Sequence, residues 1–130
     1  MGELSQGDQI PELRVTPDKY LPHRYAGASG DFNPIHIDPE FAKAVGLPNT
    51  ILHGLYMMGL AARAATEAGG GDPRSLKRLS VQFRGMGAPE TEIVVSGTVE
   101  ESEDGTATVD VVAAQGDNQT IRNAQAEIAL

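Results

Sequence analysis

The chain contains no cysteine. That rules out a disulfide framework, a thiolate metal site and a thiol nucleophile. It has no apolar run near the roughly 20 residues a membrane-spanning helix needs. Basic residues are scarce: ten Lys and Arg stand against eighteen Asp and Glu, for a formal charge of −8. That balance argues against nonspecific nucleic-acid binding and against an anionic membrane surface. The first residues, Met1-Gly-Glu-Leu-Ser-Gln-Gly-Asp8, have neither a basic segment nor an apolar one, so no signal peptide is expected. Internal repeats, low-complexity stretches and linkers are also missing. The expectation is one cytoplasmic domain over residues 1–130, large enough to hide roughly two-thirds of its unfolded surface.

What is present is glycine and proline, and they punctuate the most informative stretch. Tyr25-Ala-Gly-Ala-Ser-Gly-Asp-Phe-Asn-Pro-Ile-His-Ile-Asp38 places an acid, Asp31, five residues before an imidazole, His36. With Gly27, Gly30 and Pro34 in it, the stretch reads as a loop. An acid and an imidazole can hold a water, take a proton from it and give one back. Further on, Ile51-Leu-His-Gly54 feeds the apolar run Leu55-Tyr-Met-Met58. It reads as a glycine turn into a helix whose N-terminal N–H groups would suit a carbonyl oxygen or an oxyanion. Together these parts suffice for acid–base chemistry on a carbonyl compound.

The rest of the chain supplies the scaffold. Residues 9–15 alternate, and Pro11 suits an edge strand. Thr16-Pro17-Asp18 looks like the start of a short helix running to Ala28, with Tyr20, Leu21, Arg24, Tyr25 and Ala28 on its periodicity. Asp38-Pro39-Glu40 caps a second short helix that Gly46 stops. From His53 to Ala68 runs the one long helical pattern, apolar on nearly every side and so expected to be wrapped. After Gly69-Gly70-Gly71 the period changes to two. Strands are expected at Leu79–Phe83, Ile93–Val99, Thr106–Ala114 and Ala124–Leu130. Gly85–Pro89 reads as a turn or bulge, and hairpin turns fall at Glu103-Asp-Gly105 and Gly116-Asp-Asn118. Short turns imply an antiparallel meander of four strands, which the early strand can join. The class is α+β.

The stretch 25–38 with Ile51-Leu-His-Gly54 resembles the signature of the MaoC-like dehydratases, the R-specific enoyl-CoA hydratases and 3-hydroxyacyl-thioester dehydratases. The resemblance is densest over residues 25–60 and extends to the order of strands. It implies a hotdog fold, a five-strand antiparallel sheet wrapped around a long central helix. It also implies a dimer, homomeric or heteromeric, with active sites near the interface. The catalytic acid would be Asp31, the catalytic histidine His36, and the thioester carbonyl would sit on the Gly54 N–H. Asn33 would shape the loop or bond a catalytic partner; Tyr56, by its apolar setting, reads as core or as lining of the substrate tunnel. No cofactor and no metal are implied. The substrate would be an acyl-CoA or acyl-carrier-protein thioester, interconverted between trans-2-enoyl and (R)-3-hydroxyacyl forms.

Some relatives carry a serine on the central helix one to two turns after the glycine, where this chain has Met58, Gly59, Ala61 and Ala62. Two rival readings are an acyl-binding subunit of a heteromeric dehydratase and a hotdog thioesterase. The latter needs an acid on the long helix, where only Glu67 is found. His53 is expected to support structure, and His23 to face solvent. The spacing of Asp31, His36 and His53 is possible for a folded metal site, but no second ligand pair and no His-x-x-x-His accompany it, so no metal is expected. The basic cluster Arg74, Lys77, Arg78 and Arg84 is read as a solvated strand face. Its alternative is a contact for the phosphates of coenzyme A or of phosphopantetheine.

Overall fold

The computed structural model describes residues 4–130. Its elements are β1 (Leu13–Val15), α1 (Leu21–Ser29), α2 (Pro34–Ile37), α3 (Pro39–Ala44), α4 (Gly54–Ala68), β2 (Leu76–Phe83), β3 (Ile93–Glu103), β4 (Thr106–Gln115) and β5 (Asn118–Ala129). One antiparallel sheet has the order β1-β3-β4-β5-β2. Helix α4 packs against β2, β3, β4 and β5, so the sheet is wrapped around it in a hotdog fold. No helix among the described residues is long and apolar enough to cross a membrane.

Period-two patterning makes the core. Ile93, Val95 and Val99 of β3, Val109 and Val111 of β4, and Ala124, Ala126 and Ile128 of β5 are all buried. They meet Met57, Leu60, Ala61, Ala64, Ala65 and Ala68 of α4. Alanines on one helical stripe let the sheet approach the helix closely. The outer stripe of α4 differs from the expectation of a helix wrapped on all sides: Leu55, Gly59, Arg63 and Glu67, four residues apart, are exposed. Arg63 and Glu67 form an exposed ion pair there.

The two hairpins are where turn chemistry places them. Asp104 (φ 54°) and Gly105 (φ 76°) are both left-handed, the requirement of a type I′ turn, and Gly116 (φ 60°) opens the second turn. The four-strand meander is corrected. Strands β3, β4 and β5 form one, but β2 pairs with β5 at the far edge of the sheet. Residues 84–92 are therefore a crossover and not a tight turn between neighbours. Buried Gln115 pins this crossover, its amide bonding the backbone of Ala88 on both sides and Thr91 O.

Helix α1 begins at Leu21, later than Thr16-Pro17-Asp18 suggests. Pro22 is the reason: proline is tolerated in a first turn, whose N–H groups lack partners, and clashes further in. The Asp18 carboxylate accepts from Tyr20 N–H and pairs with Arg24 instead. The buried face is Pro22 and Ala26, while Tyr20, Arg24 and Ala28 are exposed. The loop reading of 25–38 is also corrected. Tyr25–Ser29 closes α1, and Pro34–Ile37 is a single helical turn.

Candidate active site

Asx geometry builds the acid's setting. Asp31 Oδ1 accepts the Asn33 backbone N–H at 3.2 Å. The Asn33 side chain accepts from Ile35 N–H at 3.2 Å and caps α2. The other carboxylate oxygen, Asp31 Oδ2, lies 3.8 Å from His36 Nε2. That is too long for a direct hydrogen bond. Asp31 is exposed and His36 is buried.

The imidazole is held from behind. His36 Nδ1 lies 2.8 Å from Ile51 O. A carbonyl oxygen only accepts, so Nδ1 carries a proton, and the neutral form of the ring has its lone pair on Nε2, towards Asp31. Ile51 N–H in turn donates to Ile35 O at 3.1 Å. Two bonds thus fasten α2 to the extended stretch before α4. Leu52 N–H donates to Gly87 O at 2.8 Å, which ties that stretch to the β2–β3 crossover.

The next residue is His53, 2% exposed. Its Nε2 lies 3.0 Å from Asp31 O, and its ring stacks on His36 with centroids 3.8 Å apart and planes 18° apart. The Tyr25 ring packs on it at 4.7 Å. His53 then ends the extended stretch, and Gly54 starts α4. The N–H groups of Gly54 and Leu55 have no acceptor among the described residues. They present the positive end of a 15-residue helix. A cavity of about 300 Å³ opens on this helix start, lined by Tyr25, Ser29, Asp31, His53, Gly54, Leu55 and Phe83.

Asp31, His36 and Gly54 therefore converge from α2, its preceding turn and the start of α4. Asn33 sits beside them with its side chain turned to the α2 cap. Tyr56 is one layer back, half-buried and edge-on to Tyr25 at 5.8 Å. Burial pushes its hydroxyl above the ordinary phenol value, against the pull of Arg63 and Arg24. His23 is exposed, but its Nε2–H donates to Ile37 O at 3.1 Å and links α1 to α2. Ser29 and Phe83 escaped the sequence reading of the site. Ser29 Oγ accepts the Asp31 N–H at 3.1 Å, and Phe83 continues the inward face of Leu79 and Val81 to the cavity wall. The alternation on β2 was the signal for Phe83.

Two other groupings were open in the sequence. Asp31, His36 and His53 bring one ligand atom each to within 4.8 Å of one another. Both imidazoles lie in nearly parallel planes, so their lone pairs do not converge, and His53 Nε2 is committed to a carbonyl. The arrangement makes a poor metal cage. Three of the four basic residues singled out in the sequence, Arg74, Arg78 and Arg84, have polar or acidic neighbours. Arg74 pairs with Asp72, Arg84 bonds Gln82, and Arg78 lines an outer-face depression with Glu100, Glu101 and Glu127.

Comparisons with known proteins bear on the family and the fold. A family profile described as MaoC like domain matches residues 6–120. The peroxisomal enoyl-CoA hydratase 2 of Arabidopsis thaliana is 45% identical over 75 residues, covering 57% of this chain and 23% of that protein. The chain thus spans less than a quarter of that relative's length. A structure of the ChsH1-ChsH2 complex from Mycobacterium tuberculosis superposes with a TM-score of 0.84 at 26% identity, covering 96% of this chain and 97% of the other. The (R)-hydratase from A. caviae gives a TM-score of 0.88 over 100% of this chain and 99% of the other, and at 22% identity that likeness is one of fold. With the profile spanning most of its length and the same sheet wrapped on the same helix, the chain belongs to the MaoC-like domain family.

Proposed function

We propose that this chain is a hydro-lyase that interconverts trans-2-enoyl and (R)-3-hydroxyacyl thioesters, with residues 1–130 as a single hotdog domain. The observation that carries this is the bare Nε2 of His36, aimed at Asp31 Oδ2 across 3.8 Å and beside a free helix start. The gap suits a water held by both groups. In the hydration direction, His36 Nε2 takes a proton from that water while its oxygen bonds to C3 of the enoyl thioester. The electron pair of the C2–C3 double bond moves towards the thioester oxygen. Gly54 N–H, at the positive end of α4, stabilises the charge that develops there. The Asp31–His36 pair then returns a proton to C2, so one water adds across the double bond. Dehydration is the reverse.

The carrier of the thioester is coenzyme A or an acyl carrier protein, and the name of the Arabidopsis relative favours the former. We propose a dimer for the assembly, and the fit to a chain of the ChsH1-ChsH2 complex adds a related second chain to the candidate partners. The thioesterase reading is weaker: Glu67 lies in the last turn of α4, exposed and paired with Arg63.

The test is the decay of enoyl-thioester absorbance when crotonyl-CoA is mixed with the parent, Asp31→Asn and His36→Ala proteins. The parent is expected to hydrate it, and each variant to be slower by about 10²–10⁴-fold. Folded variants that match the parent would sink the assignment of roles.

A further inference from the structure

We propose that His53 is a positioning residue for this reaction, holding the main chain of the acid and the plane of the imidazole in register with the helix start. The inference rests on the hydro-lyase reading above.

His53 uses its two ring nitrogens differently. Nε2–H donates to the Asp31 carbonyl at 3.0 Å. Nδ1 is buried with no hydrogen-bond partner among the described residues. The carbonyl can only accept, so the donated proton sits on Nε2 and Nδ1 makes no bond. Leaving a polar atom buried and unpartnered is unfavourable, and an apolar side chain would avoid it. What histidine retains at this position is the bond to Asp31. That bond goes to the backbone of the residue whose side chain faces the reacting water.

A flat ring is the second requirement. His53 covers one face of the His36 ring at 3.8 Å, while the Ile51 carbonyl holds the edge of that ring. These two contacts restrain the rotation of the His36 ring and its tilt towards His53. Ile51, His53 and Gly54 are nearly consecutive, and each fixes one part: the imidazole edge, the acid's carbonyl and the oxyanion donor. A displacement of one residue in this stretch shifts all three together. Geometry of this kind matters because a misplacement of about 1 Å can cost on the order of 100-fold in rate. Titratable neighbours that face or pack against His53 are Asp31, His36 and Tyr25, with Tyr56 behind Tyr25.

The test compares His53→Phe, which keeps a flat ring but cannot donate, with His53→Gln, whose amide nitrogen can reach the place of Nε2. His53→Asn places its amide nearer Nδ1 and serves as the mismatched control. Thermal unfolding is followed alongside kcat and KM for crotonyl-CoA hydration. A folded Phe variant is expected to lose about 10–100-fold in kcat with KM little changed, and Gln to recover at least tenfold over Phe and over Asn. Should Phe not fold, the Gln-over-Asn difference carries the same conclusion. The proposal is overturned if folded Phe retains the parent kcat, or if Gln and Asn are equally slow. A parent that hydrates crotonyl-CoA while His53→Phe is unaffected would remove this inference alone. A parent no faster than Asp31→Asn would remove the hydro-lyase reading beneath it.

Discussion

The two oxygens of Asp31 have separate duties, and Asn33 stands behind that division. Its backbone N–H holds Oδ1, leaving Oδ2 for His36, and its side chain caps the single turn that carries His36. Asn33→Ala would keep the first bond and lose the second. Removing an N-cap of this type costs about 1 kcal/mol, so a lower melting temperature is expected, with a slower kcat because α2 frays. Asn33→Asp keeps an oxygen for Ile35 N–H, and its melting temperature should stay near the parent value. Calorimetry with steady-state rates checks both. Equal loss in the two variants would show that Asn33 acts through its amide nitrogen and not through the cap.

Among the elements, β3 shows why a strand keeps a glycine in its inward row. A Cβ on Gly97 would lie 2.8 Å from Asp110 O and 3.0 Å from both Ile10 Cδ1 and Val109 Cγ1. One of these atoms is backbone and the others are core, so none yields cheaply. The close approach lets Ile10 N–H reach Gly97 O at 3.0 Å and fold the N-terminal segment over β3. Gly97→Ala should destabilise by about 1–3 kcal/mol, the range for overpacking a well-filled core. A lower urea midpoint with an unchanged slope is the expected result.

At the scale of the whole molecule, the excess of acid concentrates partly on the outer face of the sheet. Glu100 and Asp110 crowd each other across β3 and β4, bridged by the amide of Gln125 at 2.8 and 3.1 Å. Sharing a proton with Asp110, and repulsion from it, raise the Glu100 carboxyl above its usual value. A folded-state value raised above the unfolded one contributes stability below the unfolded value and loses it as pH rises through the folded one. At neutral pH that contribution is gone. Glu100→Gln mimics the protonated acid and should melt higher than the parent at pH 7. The difference should shrink as pH falls through the carboxylate range. Melting curves from pH 7 to pH 4 check the sign, and a gap that widens in acid would contradict it.

Much of this protein was determined locally. Period-two apolar patterning dictates β3, β4 and β5, left-handed turn residues dictate the hairpins between them, and the apolar run after Gly54 dictates α4. The Asp-x-Asn-Pro-x-His run needs only short-range bonds to build the turn that carries Asp31 and His36. Other features depend on residues far apart in the chain, and tertiary structure decided them. Strand β2 has the same alternation whether it pairs with β3 or β5, and only closure of the sheet around α4 selects β5. Pro22 moved the start of α1 because its ring needs a first turn. The bonds from His36 to Ile51 and from His53 to Asp31 span 15 and 22 residues. No periodicity records such pairings, since a histidine's partner is set by where the folded backbone leaves a carbonyl.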